Sequence, residues 1–146
     1  MDKYDSLKLE NQICFPLYAC SKEVVRAYRP FLDRIGLTYT QYITMMALWE
    51  HRTLSVKEIG EKLFLDSGTL TPVLKTLEEK GLVERIRSKE DERIVIVSIT
   101  DKGLALRDDA LSVPAAMTSC VDLGREDAAT LYRLLYKLLG KINKNS

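Results

Sequence analysis

The hydrophobic period of this chain switches from helical to strand-like at residue 82, and that change restricts the fold more than any other feature. Before it, apolar residues recur at helical spacing: Leu70, Val73, Leu74 and Leu77 fall at i, i+3, i+4 and i+7. After it come two β-branched runs, Leu82-Val83-Glu84-Arg85-Ile86-Arg87 and Ile94-Val95-Ile96-Val97-Ser98-Ile99. The six residues between them, Ser88-Lys89-Glu90-Asp91-Glu92-Arg93, are all polar. This spacing predicts a β-hairpin with a charged tip.

Helix signals surround the hairpin. Leu9 to Ile35 carries an amphipathic pattern (Ile13, Leu17, Cys20, Val24, Ala27, Phe31, Ile35) that ends at Gly36. Pro16 interrupts it, so the regular helix either starts near Phe15 or Pro16 or runs through with a kink. Thr38-Tyr39-Thr40-Gln41 and Ser55-Val56-Lys57-Glu58 have capping-box form. They open a helix to about His51, with Tyr42, Met45, Met46 and Trp49 on one face, and a short helix Val56–Phe64. Asp66 or Ser67 caps a helix to Lys80, ended by Gly81. Thr100-Asp101 opens a helix over about 102–118, with a bend expected at Pro114, and a last helix spans about 125–142. The fold class is therefore mainly α with a small β-hairpin: a helix-turn-helix followed by a β-wing, flanked by further helices.

Composition limits function mostly by exclusion. Apolar and charged fractions of 46% and 29% belong to an ordinary globular chain. No apolar run is long enough to cross a bilayer, and Met1-Asp2-Lys3-Tyr4-Asp5 has no signal-peptide character, so a cytoplasmic protein with no membrane partner is expected. Charge is nearly balanced, 22 basic against 21 acidic side chains, so a basic surface must be made by folding. Three cysteines, Cys14, Cys20 and Cys120, do not make a closed disulfide framework. One histidine, His51, with a Cys14-x5-Cys20 spacing is no standard zinc set, and neither metal nor cofactor is expected.

Small hydroxyls and a few long donors at a helix start suit the major groove of double-stranded DNA. Ser67, Thr69, Thr71 and Lys75 meet that need, and Gly68 allows close backbone approach. In the hairpin, Arg85 and Lys89 add positive charge, and Arg93 at the tip suits a minor groove, with Asp91 two residues before it to hold it. A plain helix cap and a solvated hairpin explain the same residues equally well on composition alone.

Three segments settle that choice by likeness. Thr53–Gly60, Leu65–Pro72 and Leu77–Val83, with Asp91-Glu92-Arg93 as an Asp-x-Arg wing motif, resemble the winged helix-turn-helix of MarR-type regulators. Leu9-Glu10-Asn11-Gln12-Ile13-Cys14-Phe15 and Leu37-Thr38-Tyr39-Thr40-Gln41-Tyr42 resemble the organic hydroperoxide resistance (OhrR) branch of that family. The resemblance implies one domain over 1–146, with a winged part at about 38–103 and dimerisation helices at about 7–36 and 104–146. It also implies a homodimeric repressor on a palindromic operator, released when an organic hydroperoxide oxidises it.

Cys14 is the candidate sensor. A peroxide needs a thiolate, and a cysteine just ahead of a helix meets its unpaired N–H groups and positive dipole end. A small buried hydrophobe is the other reading of the residue. The resemblance implies that Tyr28 and Tyr39 of the partner subunit bond the sulfur, with Tyr18 supporting the site. Phe15, Tyr18, Met46 and Trp49 line an apolar entrance or belong to the core. The resemblance likewise assigns Cys120 as a resolving cysteine, paired with the other subunit's sensor. Cys20, roughly 600° around the helix from Cys14, is expected to be buried and inert. Two rival functions remain: a MarR-type repressor gated by a small apolar or phenolic ligand, and a thiol peroxidase, for which no Arg-assisted active site is visible.

Overall fold

The computed structural model describes residues 2–144; residues 1, 145 and 146, the ends of the expected domain, lie outside that range. Two 3-10 turns, Asp5–Leu7 and Leu9–Asn11, precede α1 (Cys14–Asp33), and α2 (Tyr39–His51) follows. Then come β1 (Thr53–Ser55), α3 (Val56–Leu63), α4 (Ser67–Glu79) and the hairpin β2 (Val83–Arg87) and β3 (Val95–Ile99). Three helices close the chain: α5 (Asp101–Ala110), α6 (Ser112–Thr118) and α7 (Arg125–Lys144).

Local chemistry explains most boundaries. Both capping boxes are closed in both directions: Thr38 with Gln41, and Ser55 with Glu58. Asp66 caps α4, its Oδ1 accepting from the Thr69 amide at 2.7 Å, and Thr100 caps α5. Gly36 and Gly81 take positive φ, and beyond them Leu37 and Leu82 donate back to the Leu32 and Leu77 carbonyls. These are Schellman-type ends, for which glycine is suited because it has no Cβ to clash.

Helix α1 begins at Cys14, near Phe15 and Pro16 as the first of the two alternatives has it; Pro16 is its third residue, where a missing N–H is no loss, and Pro30 is the proline that lies deeper in the helix. Two expectations need correction and one is extended. The break after α5 falls at Leu111, not Pro114, which sits instead in the first turn of α6. The hairpin is part of a three-stranded antiparallel sheet in the order β1-β3-β2, with Leu54 and Arg85 both opposite Val97. Met46 is exposed, on the side of α2 away from buried Tyr42, Met45 and Leu48.

One core joins these elements: Leu32, Leu37, Met45, Leu48, Leu54, Ile59, Leu70, Leu74, Leu77, Val83, Val97 and Val113. It lies beneath the helix-turn-helix and the sheet. Leu32, near the end of α1, is that helix's only buried residue, and α7 has none. The first part of α1 and all of α7 therefore keep open apolar faces, including Leu17, Val25, Leu131, Leu134, Leu138 and Ile142. No helix among the described residues is long and apolar enough to cross a membrane.

Candidate functional site

Ser67, Gly68, Thr69, Thr71 and Lys75 are all exposed along the start and outer face of α4, while Leu70, Leu74 and Leu77 fix the opposite face in the core. A Cβ at Gly68 would meet only Asp66 Oδ1, at 3.4 Å, so packing within the chain does not require glycine there. The Thr71 hydroxyl donates to the Ser67 carbonyl at 2.6 Å, which leaves its lone pairs free to accept.

The wing tip has the geometry expected of Asp91-Glu92-Arg93. Asp91 Oδ1 accepts from the Arg93 amide and Nε, and Oδ2 from Nη2, each at 3.0 Å. This fork holds the Asp91 carboxyl below its usual range and raises the Arg93 guanidinium. Arg93 is nonetheless 90% exposed, so it is aimed without being used up. Lys89 is exposed beside it. Between α3, α4 and the wing lies a groove of about 1130 Å³, lined by Lys57, Ser67, Thr71, Arg85, Arg87 and Arg93 among others. Lys57 and Arg87 were not singled out from sequence, although the alternation of a strand places Arg87 on the same side as Arg85. Arg85 itself is turned toward α4, where its Nη2 donates to Glu78 Oε1 at 3.1 Å.

The cysteines form no bond within the chain, and all three are exposed. Cys20 is thus not buried as expected, because this stretch of α1 has no element of its own chain across it. Cys14 is the first residue of α1, and its N-cap, Ile13, offers no side-chain acceptor to the first-turn amides. A cleft of about 650 Å³ beside it is lined by Lys8, Leu9, Glu10, Gln12, Phe15 and Pro16. Tyr18 is exposed, with the Lys22 ammonium 5.2 Å from its ring centre.

Tyr28 and Tyr39 meet in an aromatic cluster, with ring centres 4.9 Å apart, and Tyr42 and Trp49 continue it. Burial pushes all three phenols above their ordinary value, so they remain O–H donors at neutral pH. Tyr28 is fourteen residues after Cys14 on one straight helix, about 21 Å along its axis. The cluster therefore cannot serve Cys14 of its own chain. Trp49 is likewise occupied elsewhere, its indole N–H donating to the Gly103 carbonyl at 2.8 Å, so it does not share the Phe15 cleft. Cys120 lies two residues beyond α6, which packs on α1. No cluster of metal-binding side chains occurs among the described residues.

A family model described as the transcriptional regulator SarA/Rot matches residues 26–110. The organic hydroperoxide resistance transcriptional regulator of Bacillus subtilis (strain 168) is 46% identical over 145 residues, covering 99% of each chain. The chain belongs to the MarR-type winged-helix transcriptional regulators, in the organic hydroperoxide resistance branch. Relatives in this family are regulators, not enzymes. Two solved structures, of AbfR, extend the likeness to MarR-type architecture as a whole. Reduced AbfR bound to DNA is 34% identical, with a TM-score of 0.77 over 96% of this chain and 97% of that one. Disulfide-formed AbfR is 35% identical, with a TM-score of 0.65 over 94% and 96%.

Proposed function

We propose that this MarR-type regulator is a homodimeric repressor that binds a palindromic operator when reduced and leaves it when an organic hydroperoxide oxidises Cys14. The observation that carries the reading is Cys14 itself: exposed, unbonded and first in α1, in a chain matched along its whole length by a hydroperoxide regulator. Ser67, Gly68, Thr69, Thr71 and Lys75 face the major groove, and Lys89 and Arg93 reach backbone and minor groove. Two copies of α4 held one DNA turn apart, about 34–36 Å, match the two half-sites.

The chemistry runs through the thiolate. Its sulfur attacks the terminal oxygen of the hydroperoxide, the O–O bond breaks, and the alkoxide leaves and takes up a proton. Cys14 becomes a sulfenic acid. The thiol of Cys120 on the other subunit then attacks that sulfur, forming a disulfide and releasing water. Tyr28 and Tyr39, too far from Cys14 of their own chain, serve the partner's sulfur as neutral donors, with Tyr18 beside it. The open faces of α1 and α7 support a second copy as the element that brings these groups together.

Anisotropy of labelled DNA from upstream of the protein's own gene tests the reading. Reduced wild type and Cys14→Ser should bind alike; an organic hydroperoxide should then release wild type at least tenfold, about 1.4 kcal/mol, and leave Cys14→Ser bound. Release of both proteins, or of neither, would return Cys14 to a packing role.

A further inference from the structure

We propose that Glu78 and Arg85 form a brace that sets the wing against the recognition helix, and that Arg85 is a positioning residue with no DNA contact of its own. The inference rests on the DNA-binding reading above and revises the part of it that assigns Arg85 to DNA. In the strand order β1-β3-β2, β2 is the edge strand. Arg85 stands opposite Val97, yet its backbone N–H points away from β3 and donates to Glu78 Oε2 at 3.0 Å. Its guanidinium donates through Nη2 to Glu78 Oε1 at 3.1 Å. One carboxylate near the end of α4 thus takes both the main chain and the side chain of one wing residue. An edge N–H that would otherwise need water is closed by the helix it lies beside.

Burial separates Arg85 from the arginine that reaches outward. Arg85's side chain is 25% exposed, and its Nε is buried without a partner among the described residues. Arg93's side chain is 90% exposed. Arg85 has its main-chain N–H and its Nη2 committed to Glu78, whereas Arg93 stays open to solvent beyond its bond to Asp91. A wing braced at a fixed angle, in contrast, delivers Arg93 to one place relative to α4. The brace adds a polar tie between wing and recognition helix to the packing of Val83 and Val97 in the shared core.

Glu78→Ala gives a test in which the sign decides. Alanine favours helix more than glutamate does, and losing an acidic charge from a DNA-binding unit favours binding. Both ordinary effects predict unchanged or tighter binding. The brace predicts weaker binding of labelled operator, between about threefold and thirtyfold, with minor-groove protection under the wing lost in a footprint and major-groove protection under α4 kept. Arg85→Lys, which keeps charge and the main-chain bond but loses the fork, should fall between. The Glu78→Ala/Arg85→Gln double variant should bind no worse than the weaker single one, and its dependence on log[salt] should match wild type. Unchanged or tighter binding by Glu78→Ala, or an Arg85→Gln slope reduced by about 0.9, the value for one phosphate contact, would overturn the proposal. Hydrogen exchange of the free protein separates the brace from the function beneath it: the Arg85 amide should exchange at least tenfold faster in Glu78→Ala. Equal exchange would overturn the brace; faster exchange in Glu78→Ala, together with a wild type that binds no operator, would keep the brace and sink the DNA-binding reading.

Discussion

At Gly103 a single methyl group would disturb three elements together. A Cβ there would lie 2.3 Å from the Leu82 carbonyl oxygen and 2.8 Å from Ile99 Cγ1. Neither neighbour is free to move, because the Leu82 carbonyl accepts from the Thr100 amide and Ile99 pairs with Val83 across the sheet. The carbonyl of Gly103 also holds the Trp49 indole. Gly103→Ala is therefore expected to lower unfolding free energy by about 1–3 kcal/mol, read as a shift in the urea midpoint at constant slope. An unchanged midpoint would mean that α5 shifts away from the sheet without loss. Nothing in the local sequence marks Gly103, since the clash comes from a residue twenty-one positions earlier. Cys20 failed as a prediction for a related reason: helical spacing says which residues share a face, but not whether the same chain covers it.

Among the elements, what was legible depended on range. The two capping boxes, the glycine helix ends and the polar hairpin tip are local devices, and each stands where its residues place it. Strand β1 was invisible because Thr53-Leu54-Ser55 is too short for a period; only pairing with β3 makes it a strand. Arg85 looked like a basic wing residue because its partner, Glu78, reaches it only through the turn after α4. The α3–α4–wing unit carries a further consequence. Glu58, Asp66, Glu78 and Asp91 all have carboxyls held below their usual values, by hydrogen bonds from Ser55, Thr69, Arg85 and Arg93 respectively. A carboxylate whose folded value is depressed stabilises fully above its unfolded value, about 4, and loses that contribution as pH falls through the folded value. These four groups should thus add nothing to pH dependence between pH 7 and about 5 and make the protein less stable below about 4. Glu58→Gln with Asp66→Asn keeps capping groups at both helix starts while removing two of the titrations. Its urea midpoint should fall less steeply with acid than that of wild type, and parallel curves would show that the caps do not carry the effect.

For the whole molecule, the most telling feature is the apolar surface that folding leaves open. Helix α7, twenty residues and about 30 Å long, buries none of its side chains within the chain. Leu134 and Leu138 lie four apart on one face and are 45% and 39% exposed. Leu131, Leu134, Leu135 and Leu138 recur at helical spacing in the sequence, but that spacing does not say whether the winged core uses the face they form. A stripe of this length belongs to an interface, since isolated helices gain most of their stability from packing an apolar face. Leu134→Asp with Leu138→Asp should therefore leave the winged core folded and convert a dimer of the 16.7 kDa chain to monomer in sedimentation. Operator affinity should fall with it, because the second half-site is gained at high effective concentration only while two winged units are joined; the loss expected is on the order of a hundredfold. The proposed mechanism draws the tyrosines and Cys120 from the other copy, so it predicts that the peroxide response vanishes in the same variant even though Cys14 is untouched. A variant that stays dimeric would remove this face of α7 from the interface, and a monomer that still forms the Cys14–Cys120 disulfide would place the sensor within one chain. The 21 Å that separates Cys14 from Tyr28 along α1 argues against that arrangement for the tyrosines, so the two outcomes are cleanly opposed.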